Sequence, residues 1–231
     1  MLWRHGQTVW NAERRFQGQS DIPLDVTGQA QAERAARLLA ALRPDLIVSS
    51  DLSRAAQTAA PLARLTCLDI TLDKDLRERH GGRWEGLTDT EIRTQYPAEH
   101  AAWNPPDGEP SAVVADRVAG ALHRIAEAVL ARGDGSARTR GDSIPPDPPG
   151  RRPREGAGHE NAEPGLAVVV SHGAALRLGM SRLLGIPDEL FGVLGPLSNC
   201  SWSVLGRRHG RWRLIEHNAG TLPEPILSDD R

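Results

Sequence analysis

Arg4, His5, Arg54, Glu78 and His172 are of types that can handle phosphate, and each stands in a stretch whose pattern suits that chemistry. They sit in the stretches LWRHGQT, VSSDLSRAAQTA, LRERHGGRWEG and VVVSHGAA. Arginine offers a planar fork of donors and a permanent charge that match phosphate oxygens. Three of the four stretches follow short apolar runs that read as strands. Open α/β sheets bind ligands at the carboxyl ends of their strands. Gly173 follows His172 where a helix starts, and helix N-termini present free N–H groups to anions. Two histidines, two arginines and one carboxylate can therefore converge from four distant segments on one anion.

The tripeptide Arg-His-Gly occurs at 4–6, 79–81 and 208–210, and its neighbours separate the copies. The copy at 208–210 falls in a predicted hairpin turn among Arg207, Arg208 and Arg211, where a solvated turn is the expectation. The copy at 79–81 lies in a glycine-rich loop after Glu78; His80 there reads as a substrate contact or a neighbour of one. The copy at 4–6 ends a strand, and Gly6 lets the backbone come close to a ligand.

The elements that must position these groups emerge from patterning. The run Met1–Trp3 predicts a first strand of only three residues. A central strand that short would hold the residues after it loosely, and the native start is expected to lie upstream. TGQAQAERAARLLAAL predicts a helix over 27–42 with Thr27 as its cap and Pro44 beyond its end. Strands are expected at 45–50 and 68–72, with a helix over 51–65 between them capped by Ser50 or Asp51. Residues 76–87 read as a loop, and Thr88 with Glu91 makes a capping box for the next helix. The longest amphipathic helix is expected over 111–132. Residues 133–165 hold glycine, proline and both charges, with almost no large apolar group, and are expected to be a disordered insertion. A buried strand at 166–171, a helix over 174–185 and a hairpin around Gly206–Gly210 come next, before a loose tail at 218–231. Strands alternating with helices predict an α/β fold: a three-layer sandwich, with a mixed, mostly parallel sheet and helices on both faces, in one domain over 1–231.

Bulk properties exclude several classes. The net charge of −2 gives no basic field for nucleic acid. No run of about 18 apolar residues suggests a membrane span, and no secretory leader is read at the start. Cys67 and Cys200 lack metal-ligand spacing and read as free thiols of a reducing compartment, so the expected location is cytoplasmic.

The four stretches, in order and spacing, resemble the histidine phosphatase superfamily, to which the cofactor-dependent phosphoglycerate mutases belong. The resemblance spans about residues 2–217 without the insertion. It implies a phosphoglycerate mutase-like fold and a phosphoric monoester hydrolase of the histidine acid phosphatase type. It makes His5 the nucleophile that takes up the phosphoryl group, Arg4, Arg54 and His172 the phosphate pocket, and Glu78 the proton donor. Asn11, Gln17, Gly18 and the Gly173 backbone become phosphate or substrate contacts, although Asn11 can equally cap a short turn. Glu85 belongs to the WEG turn and is not the acid. No metal and no cofactor is expected.

Within the family the stretch FQG at 16–18 looks like the phosphatase branch. Residues 88–110 lack the basic cluster that mutases share, and the tail is short and acidic. Hydrolysis of a small-molecule phosphomonoester through a phosphohistidine is the expectation, with a sugar or phosphoglycerate-type phosphate as substrate. A mutase and a non-catalytic phosphate-binding relative are the alternatives. Tyr96, Trp84, Trp103 and the 97–110 loop either roof the pocket or pack ordinarily. The expected partners are the small substrate and, by resemblance, a second copy in a homodimer; no nucleic acid and no membrane is expected.

Overall fold

The computed structural model describes residues 1–139 and 165–221. Its strands are β1 (Leu2–Arg4), β2 (Leu46–Ser49), β3 (Ile70–Leu72), β4 (Ala167–Ser171), β5 (Trp202–Arg208) and β6 (Arg211–Ala219). They form one sheet in the order β3-β2-β4-β1-β5-β6. The first four are parallel, β5 runs against β1, and β6 runs against β5. Parallel strands need crossovers, and the helices that supply them cover both faces. Residues on β2 and β4 are therefore buried in continuous runs, Leu46–Ser49 and Val168–Ser171.

One face carries α2 (Val26–Ala41) and α3 (Ser53–Thr66). Their contact surface is small-residue: Ala32, Ala35 and Ala36 of α2, with Ala55 and Ala59 of α3, are buried beside Trp3, Ile47 and Val170. Small side chains let the two helices approach each other and the sheet closely, and Trp3 fills the space between. The other face carries α6 (Ser111–Thr139) and α7 (Gly173–Leu183). Val114, Val118, Leu122 and Ile125 recur every third or fourth residue along α6 and pack with Leu176 and Met180 against Leu2, Val48 and Val169. Two short helices, α4 (Asp89–Gln95) and α5 (Pro97–Ala101), lie in the connection before α6, and α1 (Val9–Ala12) follows β1.

Several local expectations are corrected. β1 is as short as predicted but not loose. It is paired on both sides, and the ladder continues past it: Arg4 N–H donates to the Ser201 carbonyl at 2.9 Å and His5 N–H to that of Ser171 at 3.0 Å. The cap of α2 is Asp25, which accepts from Gly28 N–H, and Thr27 lies inside the helix. α3 has neither Ser50 nor Asp51 as its cap. Leu52 holds that position, and the Ser53 N–H is satisfied by Asp21 from a distant loop, at 2.7 Å. Sequence-local cap rules miss acceptors that arrive through tertiary structure. α6 continues to Thr139, past the end expected near Arg132. Residues 140–164 of the expected insertion lie outside the described residues. The expected tail begins inside β6, whose Asn218 side chain accepts the Ser198 N–H at 2.7 Å; residues 222–231 lie outside the described residues.

Candidate active site

The parallel strands β1, β2 and β4 end side by side, and Arg4, His5, Arg54 and His172 lie at or just beyond those ends. His5 immediately follows β1 and is 3% exposed. Its Nδ1 lies 2.7 Å from the Gly6 carbonyl oxygen. A carbonyl only accepts, so Nδ1 carries the hydrogen and Nε2 keeps its lone pair. Burial, then Arg54 and Arg4, holds the imidazole well below the usual histidine pKa; the Gly6 bond opposes this weakly. His5 is thus a neutral base with one defined nucleophilic nitrogen.

Its backbone is fixed as well. The carbonyl of His5 accepts from Cys200 N–H at 3.1 Å and from Asn199 Nδ2 at 3.2 Å. Gly6 N–H donates to Thr58 Oγ1 at 3.0 Å. Gly6 is needed for its size: a Cβ there would stand 2.6 Å from the Gly28 carbonyl oxygen at the start of α2.

Arg54 is fully buried in the first turn of α3. Its Nη atoms donate to the carbonyls of Ser20 at 2.9 Å and Gly18 at 2.7 Å. Arg4 donates through Nη1 to the Leu197 carbonyl. Each guanidinium is pinned by backbone oxygens, and each keeps a buried Nε–H with no partner. Burial lowers the pKa of Arg54 to about 10, with Glu78, Asp21 and Glu85 opposing and Arg4 adding slightly to the drop. It remains a cation at neutral pH. His172, also fully buried, caps α7; its ring lies 5.2 Å from that of His5. Its Nε2 is 2.8 Å from Ser50 Oγ, while Nδ1 is buried and unpartnered. Burial first, and then Arg54, His5 and Arg4, holds His172 neutral as well. Buried polar nitrogens without partners are costly and uncommon. Three such nitrogens, on Arg4, Arg54 and His172, cluster about His5 in an arrangement that can receive an anion.

Glu78 reaches the same place from the loop after β3. Its carboxylate accepts from the N–H groups of Arg79 at 2.8 Å, Ala174 at 3.1 Å and Ala175 at 2.9 Å. The last two are first-turn donors of α7, which have no intrahelical acceptor. Gly173 starts that turn; a Cβ on it would lie 3.4 Å from Arg4 Nε. The Glu78 loop is stapled from behind. Arg117 on α6 donates to the carbonyls of Asp75, Arg77 and Glu78 and pairs with Glu109 at 2.7 Å. Arg77 forms a fork with Asp51 at 2.7 and 2.6 Å.

The remaining expected contacts, Asn11, Gln17 and Gly18, lie on the segment that follows β1. Gly18 has φ +54°, and its carbonyl is the one held by Arg54. Gln17 is buried with its Oε1 unpartnered. Asn11 does not cap the short turn. Thr8 caps α1, and Asn11 completes the box from inside, its Oδ1 accepting from Thr8 N–H and Asn199 Nδ2. Glu85 is a structural clamp, accepting from the N–H groups of Gln19, Ser20 and Gly81 and from Ser20 Oγ. Trp84 is not a roof: it is fully buried, edge-on to Phe16 and Trp103. Trp103 stays half-exposed. His80 is exposed, and His209 sits at φ 50° in the exposed turn between β5 and β6. Sequence reasoning missed Asn199, Ser50, Thr58 and Arg117. They are polar residues in ordinary contexts, and only the fold brings them to the site. Among the described residues no group of three or more His, Cys, Asp or Glu is arranged to hold a metal ion.

Residues 1–132 and 155–220 match the family model of the histidine phosphatase superfamily (branch 1). The chain is 35% identical over 236 residues to a glucosyl-3-phosphoglycerate phosphatase of Mycolicibacterium vanbaalenii, covering 95% of this chain and 93% of that one. It is 34% identical to a probable phosphoglycerate mutase of Salmonella arizonae, over 91% of this chain and 86% of the other. A solved structure of a mycobacterial glucosyl-3-phosphoglycerate phosphatase in complex with VO3 superposes with a TM-score of 0.76 at 33% identity, covering 95% of this chain and 98% of that one.

Proposed function

The chain belongs to the histidine phosphatase superfamily, and from that premise we propose that it hydrolyses a small-molecule phosphomonoester through a phosphohistidine on His5. In the first step Nε2 of His5 attacks phosphorus, the bond to the ester oxygen breaks, and Glu78 gives that oxygen a proton. In the second step Glu78 takes a proton from water as the water attacks phosphorus; inorganic phosphate leaves and His5 returns to its neutral form. Arg4, Arg54 and His172 hold the three equatorial oxygens throughout, supplying the charge that phosphoryl transfer requires. No metal or cofactor has a role in these steps. The reaction is of the histidine acid phosphatase type.

The observation that carries this is the set of buried, unpartnered nitrogens on Arg4, Arg54 and His172 around a neutral His5. A sugar-linked phosphoglycerate is the substrate we favour, because relatives that match nearly the whole chain are named for that activity. Asn11, Gln17, Gly18 and the Gly173 backbone are the proposed substrate contacts. The partner is the small molecule rather than nucleic acid or membrane. A homodimer is the assembly to test by sedimentation. The described cysteines are both free, which favours a cytoplasmic setting. Among the described residues no helix is long and apolar enough to cross a membrane.

A phosphorus NMR time course in excess EDTA, on a pool of phosphomonoesters with 3-phosphoglycerate and glucosyl-3-phosphoglycerate, tests this. Growth of inorganic phosphate at the expense of the sugar-linked ester supports it. Interconversion of 3- and 2-phosphoglycerate without phosphate release makes the chain a mutase. An unchanged spectrum refutes both.

A further inference from the structure

A cavity of about 330 Å³ lies beside the phosphate site but outside it, over the ends of β5 and β6 and against α2. Gln31 and Arg34 of α2 form one wall; Ser198, Asn199, Cys200 and Asn218 form the other. None of the residues lining it is acidic. Arg34 is its one charged group, and that guanidinium makes no hydrogen bond or ion pair among the described residues; its Nε is buried and unpartnered. Two lining residues, Cys200 and Asn218, hold left-handed backbone at φ 55° and 56°.

We propose that this cavity is a second anion site, taking a small carboxylate- or phosphate-bearing solute on Arg34, distinct from the site that turns over substrate. A half-buried guanidinium walled by neutral amides and hydroxyls recognises an anion by a charge-assisted fork, and the surrounding donors select for small polar solutes. The cavity is joined to the catalytic end through its own wall. Asn199 donates to the His5 carbonyl and to Asn11 Oδ1, and Cys200 N–H donates to the same His5 carbonyl. An occupant that draws on Asn199 shifts the backbone behind His5, so occupancy changes turnover.

The test is calorimetric titration of the full chain with two probes, glycerate and inorganic phosphate, on the native protein, Arg34→Gln and Arg54→Lys. Thermal melts confirm that each variant is folded, and Arg34→Lys serves if Arg34→Gln is not. Binding of at least one probe that weakens by about tenfold or more in the Arg34 variant and persists in Arg54→Lys establishes the site. Whichever probe binds names the anion class. Equal binding in Arg34→Gln, or no binding of either probe at millimolar concentration, overturns it. Because the readout is heat and not hydrolysis, the outcome is independent of the proposed catalysis. Coupling is read separately, in kcat at saturating p-nitrophenyl phosphate, where competition at the catalytic site is removed: the bound probe should change kcat in the native protein and not in Arg34→Gln. An unchanged rate at saturation removes the coupling and leaves only the binding.

Discussion

The same three residues, Arg-His-Gly, end β1 and turn the β5–β6 hairpin, with opposite fates. At 4–6 the segment lies between two paired strands and under two helices. His5 is buried, its tautomer is set by the Gly6 carbonyl, and its charge is suppressed by burial and two guanidinium groups. At 208–210 the segment is exposed on all three residues, and a Cβ added at Gly210 would meet nothing within 4 Å. Chemistry resides in neither the tripeptide nor its histidine but in the groups the fold packs around it. At the first copy, water has been replaced by fixed dipoles and charges. At the second, water solvates everything.

That contrast can be broken by substitution. The largest effect is expected for His5→Ala, which should lower kcat by about four orders of magnitude or more while the thermal midpoint stays close to native. Steady-state assays with a calorimetric melt check both halves, and a variant retaining a tenth of the activity would remove His5 from the reaction. Next comes Arg54→Ala, with an expected loss of about a hundred- to a thousandfold in kcat, as for other transition-state donors. Its counterpart Arg208→Ala should read as native in the same assay. Glu78→Gln should cost about a hundredfold or more on an alkyl phosphate. The loss in kcat/KM, which reports transfer to His5 and not the later attack of water, should be much smaller on p-nitrophenyl phosphate, whose leaving group needs no proton. Equal losses on the two substrates would deny Glu78 the role of acid.

A smaller effect lies in the pH dependence of stability. His5 and His172 are both held neutral, with folded pKa values below the unfolded value of about 6.5. The unfolded chain therefore binds protons that the folded chain refuses. The stability involved is fully present above about pH 6.5 and is lost as pH falls from there toward the folded values. Denaturant midpoints should decline across that window, and less steeply in His172→Asn; parallel curves would show that His172 ionises alike in both states. The smallest effect belongs to the hairpin: His209→Ala should leave kcat/KM within about twofold, as for surface substitutions generally. If it were the inactive variant, the contrast between the two copies would be reversed.

The range of each interaction decides how much of this was legible in the sequence. The layered α/β fold was legible because it depends on local periodicity: the apolar runs at 46–49 and 167–171 and the alanine face of α2 are visible in any short window. The proposed site residues were read from spacing that matches a family, and the fold brings Arg4, His5, Arg54, Glu78, His172 and Gly173 close to one another. Long-range polar contacts were not legible. Nothing near Ser53 in the sequence points to Asp21 as its acceptor, and nothing on α6 marks Arg117 as the clamp behind Glu78. Trp84 read equally as roof or core because an aromatic residue in a glycine-rich loop suits both; its partners Phe16 and Trp103 decide for core.

The most direct test of the central claim is to catch the phosphoryl group on its nucleophile. The protein in EDTA is mixed with phosphorus-labelled substrate and quenched in alkali within the first turnover. Protein-bound label is then mapped by peptide mass. Acid-labile, alkali-stable label on the peptide containing His5, absent from His5→Asn and decaying to inorganic phosphate at the rate of turnover, is the predicted result. Label on the peptide of His172, His80 or His209, or phosphate released in full with no protein-bound label at any time, would contradict it.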